Sequence, residues 1–199
     1  MVQRNNITLT GILFFLVLGY SAVAQEAQTI KDVEMSVNGT STIHDWTSAV
    51  TDIKGSAALQ VSEGKLTDIS ALSLKVKVEG IESSKGRIMD NKTYNALESD
   101  DHPYITFSLA SAKIMPKGNN VQVTATGPLT IAGKTNTVQI VAMGTYQGDA
   151  IHFSGSKDLK MTDFGISPPT AMLGTLKTGD DITIDFSLVL DTAGSSSSR

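Results

Sequence analysis

The feature that most constrains this chain is an alternation of apolar and polar residues with a period of two. In residues 72–79 every even position is apolar and every odd position is polar. Residues 105–109 and 182–188 repeat the pattern. Successive side chains of a strand point to opposite faces, so each segment predicts a strand with one apolar and one polar face. Such strands are typical of antiparallel sheets that expose one face to water.

Weaker alternation and glycine-containing turns extend the pattern along the chain. Turns such as Asn38-Gly39, Ala132-Gly133 and Gln147-Gly148 separate the apolar segments, as in hairpins. Weaker strands are predicted at residues 35–37, 57–61, 121–125, 138–142 and 151–153. Closure into a barrel removes the edges of so large a sheet. The sequence therefore predicts an all-β fold, an antiparallel closed barrel of about eight strands, with a two-sheet sandwich as the alternative.

One segment interrupts the strands. Apolar residues between Ile88 and Leu97 have the spacing of an amphipathic helix, and Ser83-Ser84 precede them as candidate caps. The sequence therefore predicts one short helix near residues 84–98.

The N-terminus has the pattern of a secretory signal peptide, residues 1–24. Arg4 precedes an uncharged, largely apolar segment that ends in Ala22-Val23-Ala24. The small residues predict cleavage after Ala24. A retained membrane anchor is the weaker alternative, because the apolar core is shorter than the ~20 residues that a bilayer span requires.

Cleavage leaves one predicted domain, residues 25–193, and a polar tail, residues 194–199, that is expected to be disordered. The mature protein is expected to be periplasmic or secreted, without a stable membrane span. It has no cysteine, so its stability must come from packing rather than from disulfides. The formal net charge of −4 offers no basic surface, and a nucleic-acid partner is not expected.

Residues that usually carry catalysis are sparse. None of the three histidines has the spacing of a helical zinc motif. His44 and Asp45 follow Ser41, but adjacent residues on a strand point to opposite faces and cannot form a relay. Asp100-Asp101-His102 is interpreted as a solvated turn, with a cation site as the alternative. We therefore expect no enzymatic activity, no metal and no cofactor.

The apolar in-facing positions suggest binding instead. A barrel of about eight strands leaves an interior wide enough for one small ligand. Each CH2 group taken out of water contributes ~0.8 kcal/mol, so an apolar cavity holds an oily ligand without charged residues. The alternative is a barrel filled by its own side chains, acting as a structural or protein-interaction module. Both interpretations remain open on these residues alone.

Eight segments carry a resemblance through their order along the chain. They are residues 39–46 (GTSTIHDW), 53–57 (IKGSA), 81–86 (IESSKG), 89–97 (MDNKTYNAL), 102–107 (HPYITF), 127–135 (GPLTIAGKT), 161–166 (MTDFGI) and 179–184 (GDDITI). In combination the chain resembles the YceI-like family of secreted lipid-binding proteins along nearly the whole mature length.

The resemblance implies a lipocalin-like barrel with the helix across it and an elongated apolar pocket that holds a polyisoprenoid or similar amphiphile. Transport or storage of that ligand is the implied role, with any polar head group near the mouth, and a homodimer is left open. Met172 and Leu173 lie in a loop that we expect to border the opening. The candidate ligand-binding residues are Leu74, Val76, Phe107, Leu109, Phe153, Phe164, Ile166, Met172, Leu173, Ile184 and Phe186.

Overall fold

The computed structural model describes residues 27–171 and 175–192. The predicted signal peptide, the predicted tail and the candidates Met172 and Leu173 lie outside these ranges. Within them the strands are β1 (Gln28–Thr29), β2 (Lys31–Ser41), β3 (Trp46–Val50), β4 (Ile53–Ser62), β5 (Lys65–Lys77), β6 (Ile81–Ser83), β7 (Tyr104–Ser108), β8 (Ser111–Lys117), β9 (Asn120–Ile131), β10 (Lys134–Gln147), β11 (Ala150–Lys160), β12 (Thr170–Ala171) and β13 (Leu176–Asp191). Helix α1 spans Arg87–Ala96, and two 3-10 turns span Val78–Gly80 and Met161–Phe164.

The strands form one strongly curled antiparallel sheet. The order of hydrogen-bonded neighbours is β1-β4-β5-β7-β9-β10-β11-β13-β2-β3-β6, with β8 attached to β9 and β12 to β13. This confirms an all-β antiparallel fold with one short helix. The predicted closed ring of eight strands is wrong, because the path of eleven strands has two ends, β1 and β6, and forms a larger wall.

Breaks within the long apolar runs account for the higher strand count. Ile30 separates β1 from β2, Thr51-Asp52 separate β3 from β4, and the turn Val78–Gly80 separates β5 from β6. The pieces on either side of a break have different neighbours: β3 lies between β2 and β6, whereas β4 lies between β1 and β5. Backbone hydrogen bonds bridge the break, from Thr51 N to the Gly80 oxygen (2.7 Å) and from Lys77 N to the Asp52 oxygen (2.9 Å). One end of the sheet, β1, therefore lies beside β4, and the other end, β6, lies beside β3. Because β3 and β4 are joined through Thr51-Asp52, the curled sheet brings its two ends close together.

None of the residues of helix α1 is buried, and Ala96 at its end packs half-buried against the core. Ser83 does not cap the helix with its side chain as predicted. Instead its backbone N–H donates a hydrogen bond to the Asp90 carboxylate (2.7 Å). The Tyr94 hydroxyl donates to the Glu79 carbonyl oxygen (2.8 Å), which ties the helix to the turn between β5 and β6.

The buried apolar side chains form three clusters. The first contains Ile30, Ala57, Leu59, Leu66, Ile69, Val121, Val123, Ile151, Phe153, Leu188 and Leu190. The second contains Phe107, Ala125, Leu129, Ile131, Val138, Leu159, Met161, Phe164 and Ile166, and the third contains Val50, Val76 and Ile81. Half-buried side chains such as Leu72, Leu74 and Ile105 pack between these clusters.

Candidate ligand-binding cavity

An apolar cavity of about 140 Å³ lies where the three clusters meet. Its wall includes Ile69 and Phe153 from the first cluster, Phe107 from the second and Val76 from the third. Among the described residues that line it, Lys157 carries the one charge and the other side chains are apolar. An engineered apolar void of about this size remains dry and holds a benzene-sized molecule.

Several in-facing side chains remain half-buried although they point into the wall's interior. Met35, Leu74, Ile105, Ile184 and Phe186 all line the cavity in this way. Side chains in a close-packed core lose nearly all of their accessible surface, because protein interiors pack like organic crystals. These five residues are therefore less closely packed than the fully buried core around them. This observation counts against an interior filled by its own side chains.

Two glycines allow aromatic rings to approach the wall closely. A Cβ at Gly155 would lie 2.7 Å from Cζ of Phe186, and a Cβ at Gly144 would lie 2.7 Å from Cε1 of Phe153. Both distances are well below van der Waals contact, so a side chain at either position would force the ring to move. The rings of Phe186 and Phe153 therefore occupy space that a Cβ at these positions would take.

The structure brings six of the predicted residues together at the cavity. These are Leu74, Val76, Phe107, Phe153, Ile184 and Phe186. All six follow from the alternation of apolar and polar residues. Their role in binding a ligand remains a prediction, as does that of Met172 and Leu173.

Three predicted residues do not line this cavity, and their role in ligand binding remains a prediction. Leu109 falls in the break between β7 and β8 and packs half-buried between the first and second clusters. Phe164 and Ile166 are buried members of the second cluster and do not line the cavity. Their segment forms a 3-10 turn instead of a strand, so the period of two does not predict which way their side chains point.

The turn that buries Phe164 is fixed by polar contacts. Gly165 follows it with φ of 75°, a conformation that favours glycine. The Asp180 carboxylate accepts hydrogen bonds from Thr162 N (2.9 Å) and Thr162 Oγ1 (2.6 Å). These hydrogen bonds lower the pKa of Asp180 from its usual value. The segments 161–166 and 179–184 are therefore joined by these hydrogen bonds.

Sequence reasoning missed several residues of the cavity. Val33, Met35, Ile140 and Ala142 line it and lie at alternating positions of β2 and β10, so the period of two could have identified them. Lys157 occupies an in-facing position of β11, two residues after Gly155 and two before Leu159. The same signal was present there, but a lysine does not stand out in a search for apolar residues.

The ladder between β10 and β11 is incomplete, and we call the unpaired stretch the seam: residues 134–140 of β10 and 157–160 of β11. The last pair of the ladder is Val141 with Ser156. Beyond it, β10 continues to pair with β9 and β11 continues to pair with β13. A cleft of about 650 Å³ lies over the seam. Lys157 and Leu159 line both this cleft and the interior cavity.

The segment around His44 is held by local hydrogen bonds. The Ser41 hydroxyl donates to the His44 carbonyl oxygen (2.7 Å), and His44 Nδ1 lies 3.0 Å from the Asp45 carbonyl oxygen. Within residues 27–171 and 175–192, no group of three or more His, Asp or Glu side chains is placed to bind a metal ion. No helix in that part of the chain is long and apolar enough to cross a bilayer.

A curled antiparallel β-wall around an apolar interior defines a class of β-barrel-like proteins. Within that class, this chain belongs to the YceI-like domain family, whose model matches residues 20–190. Comparison with curated proteins gives no match.

Solved structures of similar fold come from several bacteria. Burkholderia cenocepacia BcnA is 20% identical with a TM-score of 0.62, over 79% of this chain and 96% of BcnA. A polyisoprenoid-binding domain from Saccharophagus degradans, implicated in plant cell wall breakdown, is 10% identical with a TM-score of 0.64, over 84% of this chain and 99% of that domain. The Campylobacter jejuni YCEI protein is 17% identical with a TM-score of 0.52, over 94% and 98% of the two chains.

Proposed function

We propose that this protein is an exported lipid-binding protein that encloses the apolar tail of a polyisoprenoid or similar amphiphile for transport or storage. The observation that carries the proposal is the apolar cavity between three separate core clusters. Burial of each CH2 group there would contribute ~0.8 kcal/mol to binding. The family and the Saccharophagus degradans domain support a lipid-like ligand. The signal-peptide pattern of residues 1–24 supports export.

The size of the cavity bears on how a long tail would enter. Pockets that enclose drug-sized ligands have volumes of about 300–1,000 Å³, which exceeds the 140 Å³ found here. Side chains of the wall must therefore rotate to admit an extended tail. Met35 and Phe186 are half-buried at the cavity, and the unbranched methionine adapts readily to irregular apolar shapes.

The test is to express the full chain in a bacterial host, purify the mature protein under native conditions and extract it with organic solvent. We expect mass spectrometry to find a lipid in about one-to-one ratio with the protein, and a mature N-terminus at Gln25. Protein that carries no lipid, and that binds none when farnesol is added, would support the packed structural module instead. An intact N-terminus at Met1 would contradict export by this signal.

A further inference from the structure

Resting on the lipid-binding function above, we propose that Lys157 binds an anionic head group, a phosphate or a carboxylate, at the seam between β10 and β11. The tail of the ligand lies in the apolar cavity. Its charged end reaches the outer cleft sideways through the wall, between the two unpaired strand edges.

The position of Lys157 supports the proposal. The in-facing residues of β11 are Ile151, Phe153, Gly155, Lys157 and Leu159, and their burial alternates with exposed neighbours. Lys157 is half-buried and is the charged member of the cavity wall. An ammonium group facing an apolar space loses hydration, and a counter-ion at the same place would offset that cost.

The neighbouring carboxylates do not supply this counter-ion. In the described ranges, Lys157 makes no ion pair or side-chain hydrogen bond. Asp158, the next residue, accepts a hydrogen bond from Thr183 Oγ1 (2.6 Å). Asp181 is paired with Lys160 Nζ at 2.7 Å. Asp158, Asp163 and Asp181 all line the outer cleft, so an anion is favoured close to Lys157 rather than farther out.

The seam provides the route between interior and solvent. The ladder of β10 and β11 ends at Val141 and Ser156, the residue immediately before Lys157. On the far side of the seam, Asn136 Nδ2 donates to the Asp163 carbonyl oxygen (2.9 Å), which holds β10 to the turn after β11. The two strand edges are thus fixed at both ends and unpaired between them. Lys157 stands at the inner end of this opening, in contact with both spaces.

The chemistry of the lysine side chain fits this role. Its ammonium group offers three donors and a full positive charge, and it binds phosphate as a point charge. The ligand class that fits is therefore a long apolar tail with a phosphate or carboxylate end, and the matching alcohol lacks the charge that Lys157 would recognise.

The experiment compares farnesyl phosphate with farnesol, which share a tail and differ in the head group. Isothermal titration calorimetry on the mature protein should show tighter binding of the phosphate by roughly tenfold to a hundredfold. Lys157→Met should abolish that preference, because it removes the charge and keeps an apolar stem. Lys157→Arg should keep the preference. Lys113→Met is the matched control, since Lys113 is exposed on β8 and lines neither the cleft nor the cavity.

The outcomes separate this inference from the function on which it rests. Equal affinity of wild type for the two probes, or a preference that survives in Lys157→Met, would overturn the role of Lys157 and leave lipid binding intact. Absence of binding for both probes would overturn both proposals. Binding of farnesol by Lys157→Met would show that this variant is folded. Lys157→Gln repeats the test with an uncharged polar side chain.

Discussion

Single residues in the turns of the sheet have structural roles that the alternation of apolar and polar residues does not predict. Gly133, in the turn between β9 and β10, has φ of 74° and lies under the His102 ring. A Cβ at this position would lie only 2.6 Å from His102 Cε1, so any other residue would displace the ring. The Trp46 ring covers Gly39 in the same way, and Trp46 Nε1 donates to the Thr40 carbonyl oxygen (3.1 Å). Segments 102–107 and 127–135, which carry part of the family resemblance, therefore contact each other through His102 and Gly133.

Asp180 gives a prediction at this scale. Its pKa is lowered in the folded protein by the hydrogen bonds from Thr162, so it contributes stability above its unfolded pKa, and this contribution is lost as the pH falls through its folded pKa. We expect Asp180→Asn to lower the unfolding midpoint at pH 7, and the difference from wild type to shrink as the pH is lowered below about 4. Thermal unfolding followed by circular dichroism between pH 7 and pH 2 measures it.

The control for this prediction is Asp45→Asn, which removes an exposed carboxylate that makes no hydrogen bond within the described ranges. It should leave the unfolding midpoint at pH 7 nearly unchanged. A difference between Asp180→Asn and wild type that is constant over the whole pH range would contradict the role of the ionised carboxylate.

At the scale of elements, the alternation along each strand separates the cavity from the outer surface. On β10, Ala142 faces the cavity, whereas its neighbour Val141 is 42% exposed on the outside. A large side chain at either position therefore enters a different environment, although the two positions are adjacent in sequence.

Ala142→Phe should fill part of the cavity and weaken farnesol binding by at least about tenfold, because the tail loses apolar surface to bury. Overpacking would also cost about 1–3 kcal/mol of stability if the ring does not fit. Val141→Phe adds the same ring to the outer face and should bind farnesol as wild type does. Calorimetry on both variants tests this, and equal affinities would show that the ligand does not occupy this cavity.

The strands also show what the sequence could predict. Period-two alternation placed Leu74, Phe107 and Ile184 on the inner face, because a strand has only two faces to choose between. It did not predict the 3-10 turn at Phe164 or the break in the strand at Leu109, although both side chains pack into the core. Such breaks depend on which neighbours a strand meets in the curled sheet, and a local pattern carries no information about that.

For the whole molecule, the cavity is apolar surface that folding leaves incompletely packed. The free volume forfeits van der Waals contacts that a filled core would make. A ligand that fills it supplies those contacts to the folded state alone. The free energy of unfolding should therefore depend on whether a ligand is bound.

Farnesol at a hundred times its Kd should raise the free energy of unfolding by about 2.7 kcal/mol. For a chain of this size that corresponds to an increase of roughly 5–10 °C in Tm. Differential scanning calorimetry of delipidated protein with and without farnesol measures it. Ala142→Phe should show a smaller increase, and an unchanged Tm in wild type at this concentration would count against an internal site.

The division of the core into clusters has a dynamic consequence. The first cluster meets the second through half-buried side chains such as Leu72, and the second meets the third through Ile105. Weak links of this kind let separate parts of a protein open as independent cooperative units, each with its own rate of amide hydrogen exchange. A lipid tail between the clusters would contact all three at once and couple them. We therefore expect the clusters to unfold locally and independently in the ligand-free protein, and to unfold together in the ligand-bound protein.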